Sequence, residues 1–306
     1  MSKKFDVLIA GSYTLDLVFT GLPGLPELGA EVISKGFEML PGEAFNSAAA
    51  MHRLGLKVAW AGDFGSDEFS RFTLERVREE GMEESLFVHH DRPLRRVSIA
   101  ASFPKDRAFI TYYDPEPSYP AALKALATVS ARCLYVPGFY CGPLFDMGVK
   151  LARLKRMKVV MDGNSGEGVS LTDKAVYRTV KNVDLLLPNA REARCLTGET
   201  DIYKALRKLG QLCPLVVVKD GEHGSYAVSQ SEIVHVPAIQ VAPIDTTGAG
   251  DCFNAGFIKA WLEDLPLETC LRWGNVVGGL STQALGGTGK KITIEDIKHW
   301  LDGNDH

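Results

Sequence analysis

Short, almost wholly apolar segments recur along the chain at 6–10, 58–61, 133–136, 159–161, 185–187 and 215–219. Amphipathic stretches with helical spacing lie between most of them, at about 46–54, 67–80, 143–156, 172–182 and 189–209. A strand that is apolar on both sides of its pleat belongs to a parallel sheet covered on both faces. Alternation of such strands with helices builds right-handed crossovers. The expected fold is therefore α/β: a doubly wound, mostly parallel sheet with helices on both faces, in one domain over residues 1–306.

Two regions break the rhythm. Residues 12–40 carry Leu15-Asp16-Leu17-Val18-Phe19, a Gly/Pro-rich turn, then Val32 to Phe37. Residues 95–114 carry Arg96 to Phe103, a turn at Pro104 to Asp106, then Arg107 to Tyr113. Both read as strand pairs. They form either a small inserted β flap over the carboxyl ends of the parallel strands, where open sheets bind ligands, or an antiparallel extension of the main sheet. The last third is helical, and Phe253, Phe257 and Trp261 at i, i+4, i+8 read as core packing.

Composition closes off several classes. The net charge of −4 supplies no basic face for nucleic acid. No window approaches the ~20 apolar residues that span a bilayer, so no membrane association is expected, and the absence of a signal-like leader points to a cytoplasmic protein. The six cysteines form no CxxC pair, which suggests reduced, mostly buried thiols. The seven histidines show no HExxH spacing, and His89-His90 has no third ligand near it in sequence.

Chemistry concentrates at Asp245-Thr246-Thr247-Gly248-Ala249-Gly250-Asp251-Cys252-Phe253. Gly248 and Gly250 permit a tight turn, and a helix follows at once. The first N–H groups of that helix lack intrahelical partners and its dipole is positive there, which makes a site for phosphate. Asp251 in the first turn is a poor companion for an anion unless it accepts a proton from an attacking hydroxyl. The competing reading is structural: Asp245 or Thr247 caps the helix and Asp251 steadies its first turn. No Gly-Lys-Ser/Thr follows these glycines, and the first strand runs into Gly11-Ser12-Tyr13-Thr14-Leu15-Asp16 instead of GxGxxG, so neither Walker A nor a dinucleotide fingerprint is present.

The segment Asp245 to Asp251 with Phe253 resembles the C-terminal signature of the ribokinase-like (PfkB-type) carbohydrate kinases. Pro41-Gly42-Glu43-Ala44-Phe45-Asn46-Ser47-Ala48-Ala49-Ala50, then Leu54-Gly55 and Ala61 to Phe69, is similar to the family's first signature, which usually has a Gly-Gly pair where this chain has Gly42-Glu43. The order of elements agrees over essentially the whole chain.

The resemblance implies transfer of the γ-phosphoryl group of ATP to a hydroxymethyl group of a small sugar or sugar-like acceptor. Asp251 matches the base, and Gly248, Ala249 and Gly250 match the anion hole. Asp16, Gly42 and Asn46 match acceptor-binding positions. Asn189 and Glu192 match an NxxE motif associated with Mg2+ and phosphate, reached through water; the same pattern is also a capping box. Lys219, Gly221 and Gly224 match a nucleotide-binding loop, for which a plain hairpin turn is the alternative, and Asn275 matches a position beside adenine. Asp245 and Thr247 stand where some relatives hold a monovalent cation such as K+. Asp162 ends a strand at the expected rim, but Gly166 stands where many members carry Arg. Arg95, Arg96 and Arg107 on the flap read as a solvated face before an anion site. The alternatives are a nucleoside acceptor, with Phe45, Tyr112 and Tyr113 able to stack a base, and a non-catalytic nucleotide-binding scaffold. A homodimer through exposed flap edges is a further expectation.

Overall fold

The computed structural model describes residues 4–103, 107–115, 120–164 and 168–303. The turn at 104–106, Gly166 and the side chain of Arg107 lie outside what it describes. In chain order the elements are β1 (Phe5–Ala10), β2 (Tyr13–Thr20), β3 (Gly36–Glu43), α1 (Ala44–Arg53), β4 (Val58–Ala61), β5 (Asp63–Phe64), α2 (Glu68–Glu79), β6 (Val88–His89), β7 (Arg96–Ser102) and β8 (Arg107–Tyr113). There follow α3 (Ala121–Thr128), β9 (Ala131–Val136), α4 (Pro143–Leu154), β10 (Lys158–Asp162), α5 (Lys174–Asn182), β11 (Leu185–Leu187), α6 (Ala190–Thr197), α7 (Ile202–Gly210) and β12 (Leu215–Lys219). The chain closes with β13 (Ser225–Ser229), β14 (Glu232–Val236), α8 (Ala249–Leu262), α9 (Leu267–Ser281) and α10 (Ile294–Gly303).

The main sheet has eight strands in the order β14-β13-β12-β11-β10-β9-β1-β4. The six from β12 to β4 are parallel, and β13 and β14 add an antiparallel edge. Alternate residues of each parallel strand enter different cores, as the two-residue period requires. Val7 and Ile9 of β1 join a cluster with α1, α8 and α9, whereas Leu8 joins one with α3, α4 and α7. The apolar runs read from sequence are thus strands covered on both faces. Because β1 pairs with β4 on one side and β9 on the other, the strand order reverses beside it, and open sheets of this kind bind ligands at the carboxyl ends of the strands there.

The two irregular regions form a separate sheet, β3-β2-β7-β8, so the flap and not the edge extension is what folds. Within it β2 runs antiparallel to β3 and parallel to β7. Its second strand lies later than the pattern at Val32 to Phe37 suggested. Lys35 N donates to Thr20 O at 2.9 Å, closing the loop, and pairing then runs from Thr20↔Gly36 to Tyr13↔Glu43. Pairing with β2 therefore absorbs Pro41-Gly42-Glu43 into a strand.

The helical stretch at 189–209 is two helices. Gly198 takes a left-handed conformation at the end of α6, and Asp201 then caps α7 by accepting from Lys204 N. The last third is helical as expected, with α9 ending at Ser281. All six cysteines are free thiols, four of them buried. Among the described residues no helix is long and apolar enough to cross a membrane.

Candidate active site

Three strand ends bring polar groups to one rim. Asp162 ends β10, Asn189 follows β11, and Lys219 ends β12, with Asn189 bridged in parallel to Lys219. Lys219 Nζ donates to Asp162 Oδ1 at 2.7 Å and to Asn254 Oδ1 of α8 at 3.1 Å. The chain of contacts continues inward. Asn254 Nδ2 donates to Tyr135 Oη at 3.0 Å, Tyr135 lies 3.4 Å from Ser47 Oγ, and Ser47 Oγ donates to Asp251 Oδ1 at 2.6 Å. An unbroken polar path thus runs from the rim at Asp162 to Asp251. Ser47, Tyr135 and Asn254 are buried within it.

Asp251 occupies the first turn of α8, whose preceding residue Gly248 has φ 69° and caps with no side chain. The N–H groups of Gly250 and Asp251 come too early for intrahelical acceptors, and such a terminus suits an anion. A Cβ on Gly248 would lie 2.4 Å from Gly287 Cα and 2.9 Å from Asn46 Nδ2, so no side chain fits there. Asp245 clasps the two loops that meet at this point. Its Oδ1 accepts from Thr247 N and Oγ1 at 3.0 and 2.7 Å, and its Oδ2 accepts from Gly286 N at 2.8 Å. Arg53 anchors the second loop from behind, donating to the carbonyls of Thr288 and Lys290 while paired with Glu80 at 2.7 Å.

Asp16 reaches the same place from the flap strand β2. Gly42 is its partner in close approach, since a Cβ there would lie 2.6 Å from Asp16 Oδ2. Asp16 and Asp251 are both pushed up to about 7, first by burial. For Asp16 the carboxylates of Glu43, Asp251 and Asp245 add to the rise. For Asp251 the charge of Asp162 raises it further, while the hydroxyl of Ser47, the Lys219 ammonium and the Asn46 amide oppose the rise. Folding thus favours the protonated carboxyls. Their contribution to stability is complete below about pH 4 and is lost as the pH climbs through about 7. Asp16→Asn is expected to raise stability at pH 8 by about 1 kcal/mol and to change little at pH 4. Thermal denaturation at the two pH values checks this.

The remaining positions read from sequence divide. Asn189 and Glu192 form a complete capping box, with Glu192 N donating to Asn189 Oδ1 at 2.9 Å and Asn189 N to Glu192 Oε2 at 2.7 Å. Burial, with the nearby charge of Asp162, raises the Glu192 carboxyl, and Lys219 opposes it. Gly221 lies in a single 3-10 turn that Gly224 ends, and Asp220 N donates to Gly224 O at 2.8 Å. Asn275 is buried, and its Nδ2 fastens the end of β14 by donating to Val236 O at 3.1 Å and Pro237 O at 2.9 Å. Phe45 is core, 2% exposed and edge-on to Trp60. Arg95 is tied to Asp114 at 3.0 Å, and His90 to Asp63 at 2.7 Å.

The donor set suits magnesium only through water. Among the described residues no group of three or more His, Cys, Asp or Glu could hold a metal ion directly, and Mg2+ that is bound chiefly by phosphates keeps most of its waters. Asp245 and Thr247 offer hard oxygen atoms suited to a monovalent cation, but those atoms already clasp each other and Gly286.

A doubly wound sheet of this order, with a β flap over its carboxyl rim and a glycine turn beside an acid, defines the class of carbohydrate kinases that phosphorylate alcohols. Residues 35–293 match the model of the pfkB family carbohydrate kinases, and the chain belongs to that family. Ribokinase of Bacillus subtilis (strain 168) is 26% identical over 306 residues, covering 97% of this chain and 99% of the relative. Arabidopsis thaliana ribokinase, solved in complex with ribose and ATP, superposes with a TM-score of 0.79 at 23% identity, covering 97% of this chain and 98% of that one. A nucleoside kinase of Methanocaldococcus jannaschii, an archaeal member of the ribokinase family, superposes with a TM-score of 0.75 at 20% identity, covering 99% and 100%. The chain is thus a sugar kinase of the PfkB and ribokinase type, a phosphotransferase with an alcohol acceptor.

Proposed function

We propose that this kinase transfers the γ-phosphoryl group of ATP to the hydroxymethyl group of a small sugar or sugar-like acceptor, with Asp251 as the base. The observation that carries the reading is the placement of Asp251: first turn of α8, next to the glycine turn, and held by the Ser47 hydroxyl. In this reading Asp16, Asn46 and the Gly42 backbone hold the acceptor, and Asp251 takes its hydroxyl proton as the oxygen attacks phosphorus. The turn of Gly248 and Ala249 brings the N–H groups of Gly250 and Asp251 to face the charge that develops on the transferred group.

Lys219 and the open turn at Gly221 to Gly224 border the nucleotide. Mg2+, when bound, neutralises phosphate charge, and Asn189 and Glu192 with Asp162 would hold its water shell. Asp245 and Thr247 are the position for a monovalent ion such as K+. The flap closes as a lid over the crevice and excludes water, limiting ATP hydrolysis.

Incubation with MgATP and a panel of sugars and nucleosides, read as acceptor-dependent ADP release, tests the function. Release with sugars is expected. Release with nucleosides alone would replace the acceptor class, a reading supported by the likeness to the archaeal nucleoside kinase. ATP binding without transfer to any acceptor would make the protein a nucleotide-binding scaffold. Phe45 is committed to the core and Tyr112 lies by register on the face opposite Asp16, which leaves Tyr113, of the three aromatics named from sequence, to stack a base.

Ser47 acts as a positioning residue. Ser47→Ala removes a donor that stabilises the Asp251 carboxylate, so the acidic limb of kcat is expected to move up by roughly 0.5–1 pH unit. The acceptor KM should change little. A pH–kcat profile that superposes on the wild type would remove Ser47 from this role.

A homodimer through the flap is part of the same proposal. Phe37, Ile110 and Tyr112 are 51, 72 and 52% exposed, and by strand register they share the sheet face opposite Asp16. Sedimentation showing monomer alone at micromolar concentration would exclude it.

A further inference from the structure

The buried path between Lys219 and Asp251 has a direction. An ammonium only donates, so Lys219 Nζ, 3.1 Å from Asn254 Oδ1, fixes which end of that carboxamide faces it. The amide nitrogen is thereby turned to Tyr135 and donates to its Oη at 3.0 Å. At the other end Ser47 Oγ lies 2.6 Å from Asp251 Oδ1 and donates to the carboxylate. Among the described residues Tyr135 Oη has one further hydrogen-bond neighbour, Ser47 Oγ at 3.4 Å, the longest step of the chain. Asn254 supplies a proton to Tyr135, and Ser47 has turned its own to Asp251, so the phenol proton goes to Ser47. Every proton in the chain therefore points toward Asp251.

The reverse orientation is closed. A protonated Asp251 that donated to Ser47 would turn the Ser47 proton onto Tyr135. Tyr135 would then receive from both sides, and its own proton would have no acceptor. Ser47, Tyr135 and Asn254 are each 0% exposed, so bulk water does not take that proton, and a buried donor without a partner is costly. In the observed orientation each bond polarises the next, and the last of them ends on a carboxylate, where it is strongest. The chain thus works against burial, which favours the protonated acid. Phenylalanine and leucine would fill the places of Tyr135 and Asn254 without burying polar atoms, so core packing does not call for this set.

Resting on the kinase reading above, we propose that Tyr135 and Asn254 are positioning residues of the base. They act in series. Asn254, oriented by Lys219, directs the Tyr135 hydroxyl to Ser47, and Ser47 so supported holds Asp251 as the carboxylate that receives the acceptor's proton. The other groups bearing on Asp251 are the charges of Asp16 on β2, Asp162 on β10 and Lys219 on β12, the Asn46 amide on α1 and the Cys252 thiol on α8. None of these changes in Ser47→Ala or Tyr135→Phe.

Those two variants and their double variant carry the test, with two readouts. One is the acidic limb of kcat with MgATP and a sugar that is turned over. The other is the carbon-13 shift of the Asp251 carboxyl against pH, assigned as the resonance that Asp251→Asn lacks, which needs no turnover. Phenylalanine keeps the ring that Tyr135 packs in the core. Tyr135→Phe should raise both midpoints by about half a pH unit and leave the acceptor KM nearly unchanged. The double variant should titrate like Ser47→Ala alone, because a hydroxyl that acts through Ser47 has nothing to act on once Ser47 is gone. Asn254→Leu should also raise the midpoints, and should add nothing to Ser47→Ala.

A Tyr135→Phe protein that melts lower yet titrates like the wild type would overturn the inference and leave Tyr135 a core residue. Shifts that add in the double variant would overturn it as well. Carboxyl shifts as expected, with no phosphoryl transfer to any acceptor, would leave the chain of donors standing and bring down the kinase reading instead.

Discussion

Asp251→Asn is expected to lower kcat by about 10³-fold while the fold and ATP affinity persist. Asparagine matches aspartate in size and still accepts from Ser47 Oγ, which donates to Oδ1 at 2.6 Å in the wild type. What it lacks is a lone pair basic enough to take the acceptor's proton. The wild-type carboxyl, pushed up to about 7 by burial and by Asp162, is matched to proton transfer near neutrality. The same value predicts an acidic limb of kcat/KM near pH 7 that the variant lacks. Stability should move the other way. The variant removes a carboxylate whose ionisation opposes folding above about pH 4, so it is expected to melt higher than wild type at pH 8. Turnover within a few-fold of wild type would remove Asp251 from the role of base; a lower melting point at pH 8 would contradict the burial argument.

Gly248→Ala is expected to be as damaging, for a different reason. The residue has φ 69°, and an added Cβ would lie 2.4 Å from the backbone of Gly287. The left-handed conformation costs roughly 1–2 kcal/mol for alanine, and overpacking adds about 1–3 kcal/mol. A destabilisation of about 2–4 kcal/mol is therefore expected by denaturant titration. Relief comes only by parting the 245–248 turn from the 286–287 loop, which misaims the N–H groups at the head of α8. Loss of one such donor lowers kcat by about 10²–10³-fold. Gly250→Ala provides the contrast, because a Cβ there would meet only Lys219 Nζ at 3.6 Å and Cε at 3.9 Å, ordinary contact. Equal damage from both substitutions would deny Gly248 its special place.

Much of the site was legible because its parts are local. A glycine turn, a helix start and an acid in the first turn stand within seven consecutive residues, 245–251. The capping box of Asn189 and Glu192 was legible for the same reason, and the structure confirms the cap. The bonds of Asn275 show the opposite limit: nothing near it in sequence tells that the carbonyls of Val236 and Pro237 take its amide. Ser47 stood inside the first signature without being singled out, because its partner Asp251 lies 204 residues away. Tyr135 and Asn254 left no local sign at all, since a polar group in an apolar strand or helix reveals its bond only when the partner element has packed. Glu43 was visible as a departure, but its left-handed φ of 52° and its bond to Tyr113 were not.

From residue pattern alone came the parallel sheet and its two helical layers, since a segment apolar on both sides of its pleat must be covered twice. The glycine turn with its acid was equally explicit, being chemistry carried by neighbours in the chain. Only the packed molecule decided that the irregular regions form their own sheet with β2 parallel to β7, that β3 runs from Gly36 to Glu43, and that α6 and α7 part at Gly198. Only there does a polar path join Asp162 to Asp251. Pairing register and buried hydrogen bonds are settled by competition among segments distant in sequence, and no local periodicity records which of them wins.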